Sequence, residues 1–298
     1  MFRLFYCLIY LVGCSTTSTS PKTSDLKISD EKRAAYEYYA PYCGGYPSKE
    51  SCIDGDMALF SGLLCMSGDQ RGCIGVRDSQ GPDGRWWRSP RRIGNNLGKP
   101  NSFSRDMSLG VLAYLLHTKD KGAADRWMNW IERNRPCWVR IWGQCKVRGP
   151  HRLCKNDKDL RCSITPELWA LFYDVWKHNG WSPTSTMRTY QNVPDMKITK
   201  DLKGYELHLK GVKEFLRKRM GKAKSSRINE LVSQEPWNPF FRYLKEGPSA
   251  SVQAAVEKVC PLTFPAQRSQ WAWERRGFEE PWKKSMGWDC IFMSNLLN

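Results

Sequence analysis

The chain has 298 residues, 41% of them hydrophobic and 12% aromatic, with 47 Lys+Arg against 30 Asp+Glu and 12 cysteines. That is too apolar for a disordered chain, and the length suits one large domain or two small ones. The net charge of +17 points to an anionic partner or surface, and the cysteine density exceeds what a reduced cytosolic protein without metals carries.

The first element is an apolar run from Leu4 to Val12, preceded by Arg3 and closed by Gly13-Cys14. One positive charge, a short apolar core and a small residue before a cysteine form a secretory signal, too short to span a bilayer permanently. The stretch Leu11-Val12-Gly13-Cys14 resembles the lipobox of bacterial lipoproteins. The resemblance implies that residues 1–13 are removed and that Cys14 is diacylated and N-acylated. Ser15, rather than Asp, after the cysteine implies outer-membrane sorting if the host is Gram-negative. Several acyl chains hold a protein to a membrane far better than one. Residues 14–28, with a Ser/Thr-rich stretch from Ser15 to Ser24, read as a flexible tether, which leaves 29–298 as a single domain.

With Cys7 in the signal and Cys14 on lipid, ten cysteines remain: Cys43, Cys52, Cys65, Cys73, Cys137, Cys145, Cys154, Cys162, Cys260 and Cys290. Cys65/Cys73, Cys137/Cys145 and Cys154/Cys162 share one spacing, and Cys43/Cys52 differ from it by one residue. Short loops of this kind suggest local disulfides, each stabilising by roughly 2–4 kcal/mol, although sequence alone does not fix connectivity. A zinc site would need His151 with Cys154, but no Cys-x-x-Cys pair occurs, and no metal or cofactor is expected.

The domain reads as helices joined by long loops. The clearest runs from Thr165, an N-cap, through Pro166 and Glu167 to Gly180, with Leu168, Trp169, Leu171, Phe172, Val175 and Trp176 as its buried stripe. The same periodicity predicts helices over 29–40, 55–66, 104–117, 120–133, 205–220, 225–233, 249–259 and 284–297. Alternating strand patterns are nearly absent, and the connections 67–103 and 134–164 are long enough to suggest functional loops. Asp54 to Trp130 and Trp271 to Leu297 resemble the helical hairpins of (α/α)-toroid glycosidases and polysaccharide lyases. The fold expectation is therefore all-α, a helical-hairpin array, with the toroid implied by that resemblance.

Chemistry concentrates in three polar segments around Asp54-Gly55-Asp56, Asp83-Gly84-Arg85-Trp86-Trp87-Arg88 and Asn101 to Asp106. Glycosidic cleavage needs a proton donor and a second carboxylate, for which Asp54, Asp56, Asp83 and Asp106 are the candidates. Trp86 and Trp87 offer faces to sugar rings, while Arg85, Arg88 and Arg105 suit carboxylate or sulfate groups. The same residues also suit structural work: Asp54, Asp56 and Asp106 stand at helix starts, and tryptophan is more often packing than platform. If the substrate is a uronan, elimination needs a Tyr or His base and an Asn or Arg at the sugar carboxylate, which brings in Asn101, Arg105 and His151.

Asp157 and Asp159 lack the remaining ligands of an EF-hand loop. The phosphate-binding Gly-x-x-x-x-Gly-Lys, the Gly-x-Ser-x-Gly elbow and His-Glu-x-x-His are all missing, which argues against nucleotide enzymes, serine hydrolases and zinc proteases. The basic run 210–227 presents a positive helical face, solvated or in contact with lipid phosphates, lipopolysaccharide or nucleic acid; export argues against the last. The expected function is an envelope lipoprotein that cleaves an acidic polysaccharide. The alternative is a non-catalytic one, such as a phage- or mobile-element-encoded surface modifier, that binds a glycan or an envelope protein.

Overall fold

The computed structural model describes residues 26–52, 54–94, 103–155, 162–195 and 197–260, then 262, 266–267, 271, 284–285 and 287–298. Helix α1 (Asp30–Tyr39) leads into a small antiparallel pair, β1 (Tyr42–Cys43) with β2 (Tyr46–Pro47). Helices α2 (Met57–Met66), α3 (Gln70–Arg77), α4 (Arg105–Thr118) and α5 (Lys121–Arg133) follow. An antiparallel hairpin of β3 (Cys137–Ile141) and β4 (Gln144–Arg148) separates them from α6 (Pro166–His178) and α7 (Ser185–Tyr190). Then come α8 (Tyr205–Arg219), α9 (Ser225–Gln234), α10 (Pro239–Glu246) and α11 (Ala250–Val259). A parallel pair, β5 (Ala266–Gln267) with β6 (Lys284–Ser285), precedes α12 (Trp288–Leu297). The molecule is thus mostly helical, as the periodicity predicts, and no helix among the described residues is long and apolar enough to cross a membrane.

Sequence decides which helices lie at the centre. Every residue of α2 is buried, as is α4 from Met107 to Leu116, because neither helix has a polar face to give to water. They pack backbone against backbone: a Cβ at Gly62 would lie 2.0 Å from the Gly110 carbonyl oxygen, and one at Gly110 would lie 2.1 Å from that of Ala58. Helix α12 is also almost wholly buried and packs on α2. Helices with one apolar stripe surround these; α5 turns Ala123, Ala124, Trp127, Trp130 and Ile131 inward.

Local cap chemistry ends the helices where the residues anticipate it. Thr165 accepts from the Leu168 amide, Asp120 from Ala123, and Asn238 from Phe240 and Phe241. All five disulfides join described cysteines: Cys43–Cys52, Cys65–Cys73, Cys137–Cys145, Cys154–Cys162 and Cys260–Cys290, the last tying the end of α11 to α12.

Several elements depart from the expectation, among them β6, which occupies the start of the helix expected over 284–297. Helix α3 and the β3–β4 hairpin fall in segments read as connections, and α7 and α10 in stretches where no helix is expected. Helix α3 is Gly-rich and short, and only Asp69, which accepts from the Arg71 amide, announces it. The Asn238-Pro239 pair is a cap followed by a first-turn proline, a legible signal for α10. The packed domain also begins earlier than residue 29, because Leu26 and Ile28, the end of the expected tether, are buried apolar side chains.

The basic run 210–227 is neutralised in part from within. Lys213 and Arg227 lie 3.6 and 2.8 Å from the buried Asp195, which Arg217 also contacts, and Arg217 and Arg227 share Glu214 at 2.7 and 3.4 Å. Burial pushes Asp195 up, but the Arg217 hydrogen bond and the charges of Lys213, Arg217 and Arg227 outweigh it and hold the carboxyl at about 2. Lys222 pairs with Asp174, and Lys218 donates to the Leu244 carbonyl at 2.7 Å. Three cations of the face read as solvated or lipid-facing, Lys213, Arg217 and Arg227, therefore belong to an internal ion network.

A second buried carboxylate behaves in the opposite sense. Burial pushes Glu235 up to about 7, against the hydrogen bonds from the Asn238 side chain and the Gly204 backbone. An acid raised in the folded state stabilises the fold fully below its ordinary value of 4.5 and loses that contribution as pH rises through about 7. Urea unfolding should show stability falling by about 2–3 kcal/mol across that window. Glu235→Gln should flatten the fall, and an unchanged slope in the variant would assign it to another group.

Candidate functional site

The carboxylates singled out from sequence are bound into the scaffold. Asp54 is buried, accepts from the Ser48 hydroxyl at 2.6 Å, and lies 3.2 and 3.3 Å from Arg91 and Arg92. Asp56, at the start of α2, pairs with Lys49 at 2.9 Å and Arg88 at 3.3 Å rather than capping the helix. Asp83 accepts from the Trp130 indole and the Arg85 amide, both at 3.0 Å. So Asp54 and Asp56 share one basic neighbourhood, while Asp83 braces α5 and Asp106 lies on a different cleft.

The proposed sugar-binding residues are likewise engaged. Trp86 is 0% exposed and packs edge to face with Tyr114 and Trp127, so it is part of the core. Trp87 is half-buried with the Arg85 guanidinium 4.1 Å from its ring. Arg88 is buried and donates to the Gly55 carbonyl at 2.7 Å. Arg105 lines the same cleft as Asp106, about 330 Å³ between α4, α6 and α8, where Glu167, Lys210 and Lys213 also stand. Asn101 and Cys14 lie outside the described residues, as do Asp157 and Asp159.

A larger cleft, about 470 Å³, opens where the base of the β3–β4 hairpin meets α6 and α7, and a neighbouring one of about 300 Å³ shares five of its lining residues, Arg135, His151, Trp169, Ser185 and Thr186. His151 sits between the two. Its position follows from the local chain: Gly149 N–H bonds the Pro136 carbonyl at 2.7 Å, closing the hairpin, and Ile164 N–H bonds the His151 carbonyl at 3.1 Å. The Cys154–Cys162 bridge holds the returning segment. Gly149 is required because a Cβ there would meet the Trp138 indole nitrogen at 2.7 Å and Pro136 at 2.8 Å.

The His151 ring lies edge-on to Trp169, 5.2 Å between centres, and its Nε2 is 2.6 Å from a Glu132 carboxylate oxygen. Burial lowers His151, and the Arg135 charge lowers it further, while the Glu132 hydrogen bond raises it; the net shift is downward. For Glu132, burial raises the carboxyl, but hydrogen bonds from His151 and Arg135 bring it below its ordinary value. Near neutral pH the pair is a neutral imidazole against an ionised carboxylate, a hydrogen bond rather than an ion pair. The ionised carboxylate accepts the Nε2–H hydrogen bond, so the lone pair lies on Nδ1, which is the arrangement of an oriented general base.

Arg135 secures Glu132 at 3.1 Å and the Gly149 carbonyl at 2.9 Å. Arg148, Trp138 and Tyr190 complete the wall of the cleft. Comparison with protein-family models, curated proteins and solved structures finds no significant match for the chain. The site therefore stands on its own geometry.

Sequence reasoning reached His151 but missed Glu132, Arg135, Arg148, Trp138 and Tyr190. Glu132 precedes His151 by 19 positions, with a whole hairpin between them, and no short spacing announces the pair. Cys65, Cys73 and His117 also gather within 4.8 Å, but the two sulfurs are bonded to each other, which leaves no thiolate there for a metal.

Proposed function

We propose that the chain is an exported, lipid-anchored envelope protein whose His151 cleft takes an acidic polysaccharide and cleaves it by elimination. The observation that carries the reading is the 2.6 Å contact between His151 and Glu132 in a cleft walled by arginine and aromatic rings. In such a step the base removes the proton next to the uronate carboxylate, the electron pair becomes a carbon–carbon double bond, and the glycosidic oxygen leaves. Nδ1 of His151 is the base. Of the residues that line the cleft, Arg148 meets the sugar carboxylate in this reading, Trp138 a sugar ring, and Tyr190 returns a proton to the leaving oxygen.

Export is supported by the five disulfides, which belong to an oxidising compartment. Anchoring through Cys14 rests on the lipobox resemblance, and the (α/α)-toroid arrangement on the likeness of the stretches Asp54 to Trp130 and Trp271 to Leu297 to the helical hairpins of such enzymes. A second reading, hydrolysis, has one specific support: Asp106 and Glu167 line a common cleft with Arg105.

The test is incubation with a broad panel of uronans and sulfated glycans. Elimination yields unsaturated, ultraviolet-absorbing ends together with new reducing ends. Reducing ends alone, lost in Asp106→Asn and kept in His151→Gln, would move the chemistry to the other cleft. Bound but uncut glycan across the panel would make this a non-catalytic binding protein.

A further inference from the structure

Beyond its base, where Trp138 and Arg148 line the cleft, the β3–β4 hairpin has a second feature. From Trp138 to Arg148 every residue is exposed except Cys145, which is half-buried, so the arm stands off the body rather than packing on it. Trp138, Val139, Ile141, Trp142 and Val147 are five of the ten exposed large hydrophobic residues among those described. Apolar surface is concentrated on this arm, and concentrated apolar surface marks an interaction site.

The tip carries the most exposed of them. Trp142 is 96% exposed and has φ 48°, followed by Gly143 at φ 76°, in a two-residue turn between the paired Ile141 and Gln144. Such turns favour Asn-Gly, and a bulky residue at positive φ costs free energy. The tryptophan is held there against local preference. The Cys137–Cys145 disulfide braces the two strands, so the arm is stiff.

Charge supplies the identity of the partner. Arg140, Lys146 and Arg148 alternate with the apolar residues, and no Asp or Glu occurs between Glu132 and Asp157. Aliphatic and indole side chains interleaved with cations match a surface that is apolar beneath and anionic above. An acidic glycan offers charge and ring faces for indole stacking but no apolar layer for Val139, Ile141 and Val147, whereas a bilayer interface supplies both layers, and tryptophan prefers that interface. We infer that the β3–β4 hairpin inserts its Trp142 tip into the headgroup region of an anionic bilayer while Arg140 and Lys146 contact lipid phosphates. Each cation near such a surface adds to binding and makes it salt-dependent. The inference does not depend on the chemistry of the cleft.

The test uses the full chain with Cys14→Ser, so that no acyl chain attaches, and vesicles of phosphatidylcholine with or without one-third phosphatidylglycerol. The N-terminal apolar run is common to every variant and cancels in the comparison. Flotation should show Trp142→Ala and Trp142→Asn binding the anionic vesicles about tenfold more weakly than the parent. Asn suits the turn, so Trp142→Asn should keep or raise the melting temperature while losing binding, which separates docking from folding. Arg140→Gln with Lys146→Gln should weaken binding and its salt dependence together. Lipids brominated in the acyl chain should quench emission that Trp142→Phe removes. Unchanged binding in the Trp142 variants would overturn the inference, and so would equal, salt-independent binding to phosphatidylcholine alone. Equally tight, Trp142-dependent binding to soluble dextran sulfate would overturn it in favour of a polymer.

Discussion

Gly110→Ala is expected to destabilise the domain by more than about 4 kcal/mol, a large share of an ordinary stability of about 5–15 kcal/mol. The added methyl would sit 2.1 Å from the Ala58 carbonyl oxygen and 2.5 Å from the Leu59 Cα, both backbone atoms that cannot swing aside. Helices α2 and α4 would have to separate, and both are buried on all sides, so separation opens voids against every neighbour. Gly62→Ala carries the same expectation for the reciprocal reason, its Cβ lying 2.0 Å from the Gly110 oxygen. Gly122→Ala on α5 is the control: its Cβ would meet only the far end of Arg126 at 3.4 Å and Asp120 at 3.6 Å. That change should be neutral or stabilise by about 0.5–1 kcal/mol. Urea midpoints of the three variants decide the matter; a wild-type midpoint for Gly110→Ala would mean the central helices are not in close contact.

His151→Gln should lower turnover on a cleavable acidic glycan by roughly 10²–10⁴-fold without moving the unfolding midpoint. The side chain is 10% exposed and contributes its ring edge to Trp169, which Gln partly replaces, so the loss falls on chemistry. Glu132→Gln makes the more discriminating variant. A carboxylate accepts a hydrogen bond from Nε2–H and leaves Nδ1 basic, whereas an amide can donate to Nε2 and move the proton to Nδ1. Turnover should fall about as far as in His151→Gln if orientation of the tautomer is what Glu132 supplies.

The pH profile adds a sign. Glu132 is the group that raises His151, so the acidic limb of activity, already below the ordinary imidazole value, should move lower still in Glu132→Gln. A limb that stays in place would mean that another group is the base.

Much of the fold is legible in the residues because its determinants are close in sequence. Thr165-Pro166-Glu167 starts α6, Asp120 starts α5, and repeating apolar positions draw the helices between. Cysteines eight or nine positions apart meet because a short loop costs little entropy to close. Where local signals are weak, as in the Gly-rich α3 or the bulged, two-faced exposed hairpin, spacing says nothing definite, since neither face alternates against a core.

The site was legible only in part. Asp54, Asp56 and Asp83 look like free carboxylates because Arg88, Arg91, Arg92 and Trp130, which engage them, are distant in the chain. Lys213, Arg217 and Arg227 look like a positive face until Asp195 is folded beneath them. His151 gains its meaning from Glu132, across a hairpin. Sequence by itself determined most of the helices, the close spacing of the locally bridged cysteines, the excess of positive charge and the polar segments. Tertiary structure alone decided which charges are spent on one another and which remain on a cleft or an exposed arm. The reason is range: caps, periodicity and short loops act within a few residues, whereas Coulomb energy and burial depend on distances that only the packed chain sets.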